Sequence, residues 1–270
     1  MSIAKLRDEI IAELKSAGIT GAQTDAELIM SFVLGKDRTW LMAHDHEDIT
    51  PADTEYIKNL AQRRAQREPL SYVLGQREFA GLMFTIDSRA LTPRVETETI
   101  VAEVARRAPK GERVLDIGTG SGAMAIALKH LRPDLNIVAS EVSADALELA
   151  RENARNLLHS ENDIEFVESD LFENVESTFD VIVANLPYVT RTMELMPEVQ
   201  NEPDVALFGG ADDGLDLYRK FFAQLPKHLN SSGQLWLESD PWQQNALIEL
   251  AKSCELRKIF QDYFILGFEK

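Results

Sequence analysis

Val114-Leu115-Asp116-Ile117-Gly118-Thr119-Gly120-Ser121-Gly122-Ala123 is the stretch around which the rest of the chain is organised. A short buried strand, Val114 to Ile117, runs into three alternating glycines, and Ala123 opens an apolar helical run to Leu131. Such glycines permit a tight turn and let a ligand approach the backbone at a helix N-terminus, whose free N–H groups attract an anion. Glu141 ends the next strand, Ile137 to Ser140, at the distance where a carboxylate takes the hydroxyls of a ribose. Loop, flanking strand, helix and acid together predict a nucleoside-containing ligand. The loop alone does not choose among such ligands, because Gly118, Gly120 and Ala123 also satisfy the dinucleotide pattern G-x-G-x-x-A.

Outward from this stretch, strands and helices alternate. A helix is expected from about Ala144 to Leu158, a third strand at Ile164–Val167 and a fourth at Phe179–Ala184. A helix near Leu217 to Leu229 precedes a fifth strand at Gln234–Glu238, and another helix covers Trp242 to Ser253. Two last strands, near 256–260 and 263–268, close the chain. Repeated strand–helix units imply a parallel sheet covered on both faces, with an antiparallel hairpin added at its end.

Residues 1–70 read differently. Ile3, Leu6, Ile10, Leu14 and Ala17 fall at helical spacing before Gly18, and Thr24 or Asp25 would cap a second helix ending at Gly35. Arg38–Met42 gives a short turn, and Thr50-Pro51 looks like a cap with proline at the first helical position of a helix running to about Arg67. This is a small helical bundle spanning 1–70. Residues 71–92 read as a linker with a hairpin turning at Ala80-Gly81, and 93–270 as the strand–helix domain. His44-Asp45-His46-Glu47-Asp48 reads as a solvated loop and not a metal cluster, and His130, His159, His228 and Cys254 form no constellation.

The 270 residues carry a formal charge of −17, with 28 Lys and Arg against 45 Asp and Glu. Residues 1–70 hold 9 of the basic and 12 of the acidic side chains, so most of the excess lies beyond them. Nucleic-acid binding draws much of its affinity from Lys and Arg on phosphates, so this balance argues for a protein or small-molecule partner. There is no apolar run long enough to span a membrane, no signal-peptide-like start, and only one cysteine, Cys254. A cytoplasmic protein without a disulfide or metal centre is the expectation.

The fourth strand ends in Asn185-Leu186-Pro187-Tyr188. Proline cannot continue a ladder, so an amide, two backbone carbonyls and a phenol crowd the carboxyl end of a strand, where open α/β sheets bind ligands. Asp170 and Leu171 follow the third strand, where an acid and a neighbouring N–H would read an adenine edge. A dehydrogenase needs neither feature. Glycine loop, Glu141, Asp170 and the Asn-Leu-Pro-Tyr corner resemble the class I S-adenosylmethionine-dependent methyltransferases, which implies a Rossmann-like, seven-stranded, mostly parallel sheet.

The resemblance narrows with Glu68-Pro69-Leu70-Ser71-Tyr72-Val73-Leu74-Gly75, Glu78-Phe79 and Thr92-Pro93-Arg94-Val95-Glu96-Thr97. Glu202-Pro203, Ala206-Leu207-Phe208-Gly209-Gly210 and Asp213-Gly214-Leu215-Asp216 extend it. These are similar to the glutamine methyltransferases that modify peptide chain release factors on the glutamine of a Gly-Gly-Gln loop. The chain departs from that pattern at Leu186 and Val95, where the family usually has Pro, at Glu141, where Asp is commoner, and at Glu238-Ser239-Asp240.

The resemblance implies that Gly118, Thr119, Gly120, Ser121 and Gly122 hold the methionine part of the cofactor, Glu141 its ribose, and Asp170 with Leu171 its adenine. Asn185, which the resemblance also counts among the cofactor-binding residues, and the Leu186 carbonyl would accept the two N–H protons of the substrate glutamine, Pro187 would fix the corner, and Tyr188 would pack on the side chain being methylated. S-adenosylhomocysteine is the implied product. The competing readings are an adenine-N6 methyltransferase using the same Asn and Tyr on a flipped base, against which the charge argues, and a cofactor-binding protein without turnover.

Overall fold

Apolar residues spaced three and four apart become buried helix faces throughout the first part of the chain. In α1 (Ile3–Ser16), capped by the Ser2 hydroxyl, the buried residues are Ile3, Leu6, Ile10 and Leu14. α2 (Ala22–Leu34) starts at Gly21 without a side-chain cap and ends at Gly35, which takes the left-handed conformation. Neither Thr24 nor Asp25 caps it, because Asp25 instead accepts 2.7 Å from Arg64 Nε: a tertiary ion pair outcompetes the local role. α3 (Arg38–Ala43) is capped by Asp37, and His44 behind it stacks on Trp40 at 4.1 Å. α4 (Pro51–Ala65) has Thr50 as cap and Pro51 in its first turn, and the single-turn helix α5 (Leu70–Leu74) ends at left-handed Gly75.

The computed structural model describes residues 1–158 and 163–270; His159 lies outside the described residues. The chain divides into two units, Met1–Gly75 with Leu195–Asn201, and Gln76–Glu194 with Glu202–Lys270. Within the first, Glu198 lies 3.0 Å from both Arg64 and Arg67, and Asn201 Nδ2 donates to the Arg67 carbonyl, so the inserted stretch is tied to the helices by charge.

The second unit begins with the hairpin β1 (Gln76–Phe79) and β2 (Leu82–Thr85). Its turn residues Ala80 and Gly81 both have positive φ, 49° and 78°, as a two-residue turn matched to strand twist requires. Then follow α6 (Glu98–Arg107), β3 (Arg113–Ile117), α7 (Ala123–Leu131), β4 (Asn136–Glu141), α8 (Ala144–Leu157), β5 (Ile164–Glu168) and β6 (Phe179–Ala184). The chain continues through α9 (Asp204–Leu207), α10 (Asp216–Gln224), β7 (Leu229–Glu238), α11 (Gln244–Ser253), β8 (Arg257–Gln261) and β9 (Ile265–Glu269).

The described residues form a seven-stranded sheet in the order β5-β4-β3-β6-β7-β9-β8. β3 pairs in parallel with both β4 and β6, β7 runs parallel to β6, and only β9 runs against the others, pairing antiparallel with β7 on one side and β8 on the other. The order reverses beside β3, which brings the carboxyl ends of β3, β4 and β6 together. Leu115, Ile117, Ile182, Leu235 and Leu237 anchor a core shared with Tyr218 and Phe221 of α10.

The expected helix to Leu229 stops at Gln224, because Pro226 cannot continue it and forms a 3-10 turn instead. β7 consequently begins at Leu229, five residues before the expected Gln234, and a register irregularity against β6 absorbs the extra length. No helix among the described residues is long and apolar enough to cross a membrane.

Candidate active site

The loop after β3 is held by backbone and carboxylate. Gly118 N and Thr119 N donate to the Ser140 carbonyl of β4 at 2.8 and 3.0 Å, and Gly118, Gly120 and Gly122 have φ of 73°, 56° and 82°. Glu141 organises the same loop: Oε2 accepts from Gly120 N at 3.0 Å, and Oε1 from Val142 N and Ser143 N at 2.9 and 3.0 Å. Each carboxylate oxygen can accept more than one bond, so Glu141 retains acceptor capacity for a ligand hydroxyl. From α8, buried Asn153 donates 3.0 Å to the Ser121 carbonyl and pairs with both backbone groups of Thr85, tying the glycine loop to the β1–β2 hairpin.

The residues expected to form the site meet around one cavity of about 460 Å³. Gly118, Thr119, Gly120, Ser121, Glu141, Asp170, Leu171, Asn185, Leu186 and Pro187 all line it. Gly122 and Tyr188 are not among its lining residues. A side chain at Gly122 would meet Ile126 Cδ1 at 2.8 Å and Ala150 Cβ at 3.1 Å, so this glycine serves the close packing of α7 on α8. Asp170 is exposed at the rim, while Leu171 is buried at φ 49°, an unfavourable conformation for a side-chain-bearing residue. Ser169 holds that turn by donating to the Leu171 carbonyl and accepting from Asn174 N, both at 3.0 Å.

Asn185 follows β6 on the opposite wall. Its Nδ2 donates to Thr97 Oγ1 at 3.2 Å, and Thr97 Oγ1 donates to Glu238 Oε2 at 2.6 Å. Tyr188 turns away from the cavity and donates to Glu238 Oε1 at 3.3 Å. Burial raises the Glu238 carboxyl above its ordinary range, against the opposing bonds from Thr97, Tyr188 and Asn185. Burial, with the Glu238 charge beside it, likewise raises the Tyr188 phenol.

Leu186 is buried, and a side chain on Gly118 would lie 3.2 Å from its Cδ2. Tyr218 of α10 donates to the Glu238 carbonyl, and leucine at position 186 keeps the backbone carbonyl of the corner. Arg94 lines the cavity and pairs with buried Glu202.

The connection after Tyr188 folds back against the corner. Val189 N donates to Leu207 O at 2.9 Å and Gly209 N to Val189 O at 3.1 Å. Buried Gln243 donates to the carbonyls of Tyr188 and Asp213 at 2.8 and 2.7 Å. A Cβ at Gly209 would lie 2.0 Å from Gly214 O and 2.4 Å from Pro187 O, so backbone packs on backbone here and no side chain fits.

Thr97, Glu238, Gln243 and Asp116 were not singled out from sequence as site residues. For Asp116 and Glu238 the signal was an acid inside or ending an apolar strand. Asp116 Oδ2 accepts from Thr119 Oγ1 and Ala125 N at 2.7 and 3.1 Å, while Oδ1 is buried without a partner. Burial, reinforced by the nearby Glu141 charge, pushes the Asp116 carboxyl from 3.8 up to about 7, despite the Thr119 and Ala125 bonds.

Across that window the folded protein keeps a proton that the unfolded chain has released, so stability falls as pH rises from about 4 to about 7 and levels off above. Asp116→Asn is expected to remove this slope, which is at most about 1.4 kcal/mol per pH unit. Urea unfolding of the two proteins at several pH values measures it. Parallel profiles would contradict the assignment.

A family model described as the PrmC N-terminal domain matches residues 5–75, and one described as the methyltransferase small domain matches residues 95–202. The release factor glutamine methyltransferase of Geobacter sulfurreducens is 41% identical over 241 residues, 88% of this chain and 84% of that one. That of Deinococcus radiodurans is 39% identical over 246 residues, 89% of this chain and 87% of its own. Among solved structures, a methyltransferase from Pyrococcus furiosus, 23% identical, aligns with a TM-score of 0.54 over 70% of this chain and 89% of that one. The mostly parallel sheet with its terminal antiparallel pair is thus the class I methyltransferase fold that the sequence led us to expect. With two family models and these relatives matching along most of its length, the chain belongs to the release factor glutamine methyltransferase family.

Proposed function

We propose that this protein transfers a methyl group from S-adenosylmethionine to the side-chain amide nitrogen of the glutamine in the Gly-Gly-Gln loop of a peptide chain release factor. The observation that carries the reading is Asn185 at the end of β6, across one cavity from the glycine loop and Glu141, in a chain of this family.

The residues present fit the cofactor. A cavity of about 460 Å³ lies in the range of small-molecule sites, and its walls supply what such a ligand needs. The backbone from Gly118 to Ser121 is open to close approach, the Glu141 carboxylate suits a ribose diol, and Asp170 beside Leu171 suits an adenine edge. S-adenosylmethionine supplies, when bound, a methyl carbon activated by its sulfonium and leaves as S-adenosylhomocysteine.

The chain's own residues hold the acceptor. Asn185 Oδ1 and the Leu186 carbonyl accept the two N–H groups of the glutamine, which turns its nitrogen lone pair toward the methyl group. Pro187 keeps the corner from continuing as strand. Tyr188, anchored on Glu238, supports the corner from behind. No strong base is needed, because the nitrogen sheds its extra proton after it has gained the methyl group. Positioning of this kind contributes up to about 7–11 kcal/mol.

A protein substrate also suits the surface: with 45 acidic and 28 basic side chains the protein repels a phosphate backbone. A release factor as substrate places the reaction in the cytoplasm, where translation ends. The test is to offer the purified protein methyl-labelled S-adenosylmethionine with a release factor, and separately with ribosomal RNA. Label in the release factor alone is expected. Label in the RNA alone would overturn the reading in favour of adenine methylation.

A further inference from the structure

We propose that Thr97 and Glu238 are positioning residues that dictate which end of the Asn185 amide faces the cavity, and so select a substrate nitrogen that donates hydrogen bonds. This rests on the methyl-transfer reading above. A side-chain amide has an accepting oxygen and a donating nitrogen, and a half-turn exchanges them at almost no steric cost. Toward a glutamine NH₂ only the oxygen is useful; the reversed amide would set N–H against N–H. Something in the protein must therefore break the symmetry.

The hydrogen bonds behind Asn185 break it. Glu238, 2% exposed, is an acceptor on both oxygens when ionised. Thr97 Oγ1 has a single proton and commits it to Glu238 Oε2 at 2.6 Å. Having given that proton away, the hydroxyl can only accept from its other neighbour, and at 3.2 Å that neighbour is Asn185 Nδ2. This contact draws the nitrogen inward and leaves Oδ1 to the cavity. The Tyr188 hydroxyl donates to the remaining carboxylate oxygen, so the acceptor-only character of Glu238 sets the direction of every bond in the cluster.

An amide in place of this carboxylate undoes the logic without changing its size. In Glu238→Gln the new NH₂ donates to Thr97, which frees the threonine proton for Asn185 Oδ1 and turns the Asn185 nitrogen toward the substrate. Thr97→Val removes the relay outright, whereas Thr97→Ser keeps the hydroxyl.

The experiment compares these three variants with the wild type, measuring kcat and KM for a release factor, the Kd for S-adenosylmethionine, and inhibition by a release factor whose Gly-Gly-Gln glutamine is replaced by glutamate. Expected are a fall in kcat/KM of about 10- to 100-fold for Thr97→Val and Glu238→Gln, near wild-type values for Thr97→Ser, and cofactor Kd values within about twofold throughout. Glu238→Gln should also be inhibited more strongly by the glutamate factor, because a reversed Asn185 offers a donor to its carboxylate. That shift is one that a merely structural role would not produce.

Wild-type kcat/KM in Thr97→Val and Glu238→Gln would overturn the inference. So would a Thr97→Ser enzyme as impaired as Thr97→Val, or a parallel loss of cofactor binding in the impaired variants. If the wild type itself leaves the release factor unmodified, the methyl-transfer reading falls and this inference with it; an active wild type matched by its variants refutes the inference alone.

Discussion

Asn185→Ala is expected to lower the rate of methyl transfer to a release factor by roughly 10²- to 10³-fold, the scale seen when one preorganised hydrogen-bonding group is removed from a reacting centre. That loss corresponds to about 3–4 kcal/mol of transition-state stabilisation. The substituted side chain has lost the oxygen that would accept the substrate N–H, and the Leu186 carbonyl alone leaves the glutamine free to rotate about a single bond. The fold should tolerate the change: Asn185 is only half-buried, and its loss forfeits the bond to Thr97 without opening a large void. Affinity for S-adenosylmethionine should stay near the wild-type value, because the glycine loop and Glu141 are held by β3, β4 and α8 independently of Asn185. Single-turnover kinetics with titration calorimetry separate the two effects. An Asn185→Ala enzyme of wild-type speed would remove Asn185 from the mechanism.

The second large effect is expected at Gly209. An added methyl group there sits 2.0 Å from the Gly214 carbonyl oxygen and 2.4 Å from that of Pro187, and both obstacles are backbone. No rotamer relieves them. Either the connection lifts off the Asn185–Tyr188 corner or the corner moves with it, so Gly209→Ala should cost about 3 kcal/mol of stability, at the upper end of overpacking penalties. Most of the methyl-transfer activity should go as well, since the Val189–Gly209 pairing that supports the corner is strained open. Gly21→Ala is the control: its Cβ would meet nothing nearer than Asp25 Oδ1 at 3.5 Å, an ordinary contact. Urea midpoints of the two variants should diverge clearly. Equal midpoints would mean that the connection is not packed as described.

Much of this arrangement was legible in the sequence because it is local. The strand, glycine loop and helix around Gly118, the acid ending β4, and the Ala80-Gly81 turn all follow from residues adjacent in the chain, where period and backbone preference act directly. What escaped is long-range. Thr97 lies 88 residues from Asn185 and 141 from Glu238, and no spacing rule joins them; only the parallel pairing of β6 and β7 beside α6 does. Asp25 was misread as a cap for a similar reason, since its partner Arg64 is 39 residues away.

Glycines show the same limit from another side. Gly118, Gly120 and Gly122 look equivalent in sequence, yet Gly122 faces Ile126 and Ala150 and serves helix packing, while Gly118 and Gly120 line the cavity. The departure at Leu186 also reads differently once folded. Its side chain fills the space over Gly118, and its carbonyl is the group on which the proposed substrate contact depends.

The central claim is that the methyl acceptor is a glutamine side chain held at Asn185. It is tested most directly by incubating the protein with S-adenosylmethionine and an unmodified release factor, then mapping the product by tandem mass spectrometry. A single methyl group on the side-chain nitrogen of the Gly-Gly-Gln glutamine, absent when Asn185→Ala replaces the wild type, is the predicted result. A factor left unmodified by the active, cofactor-bound protein, or methylated at any other residue, would contradict it.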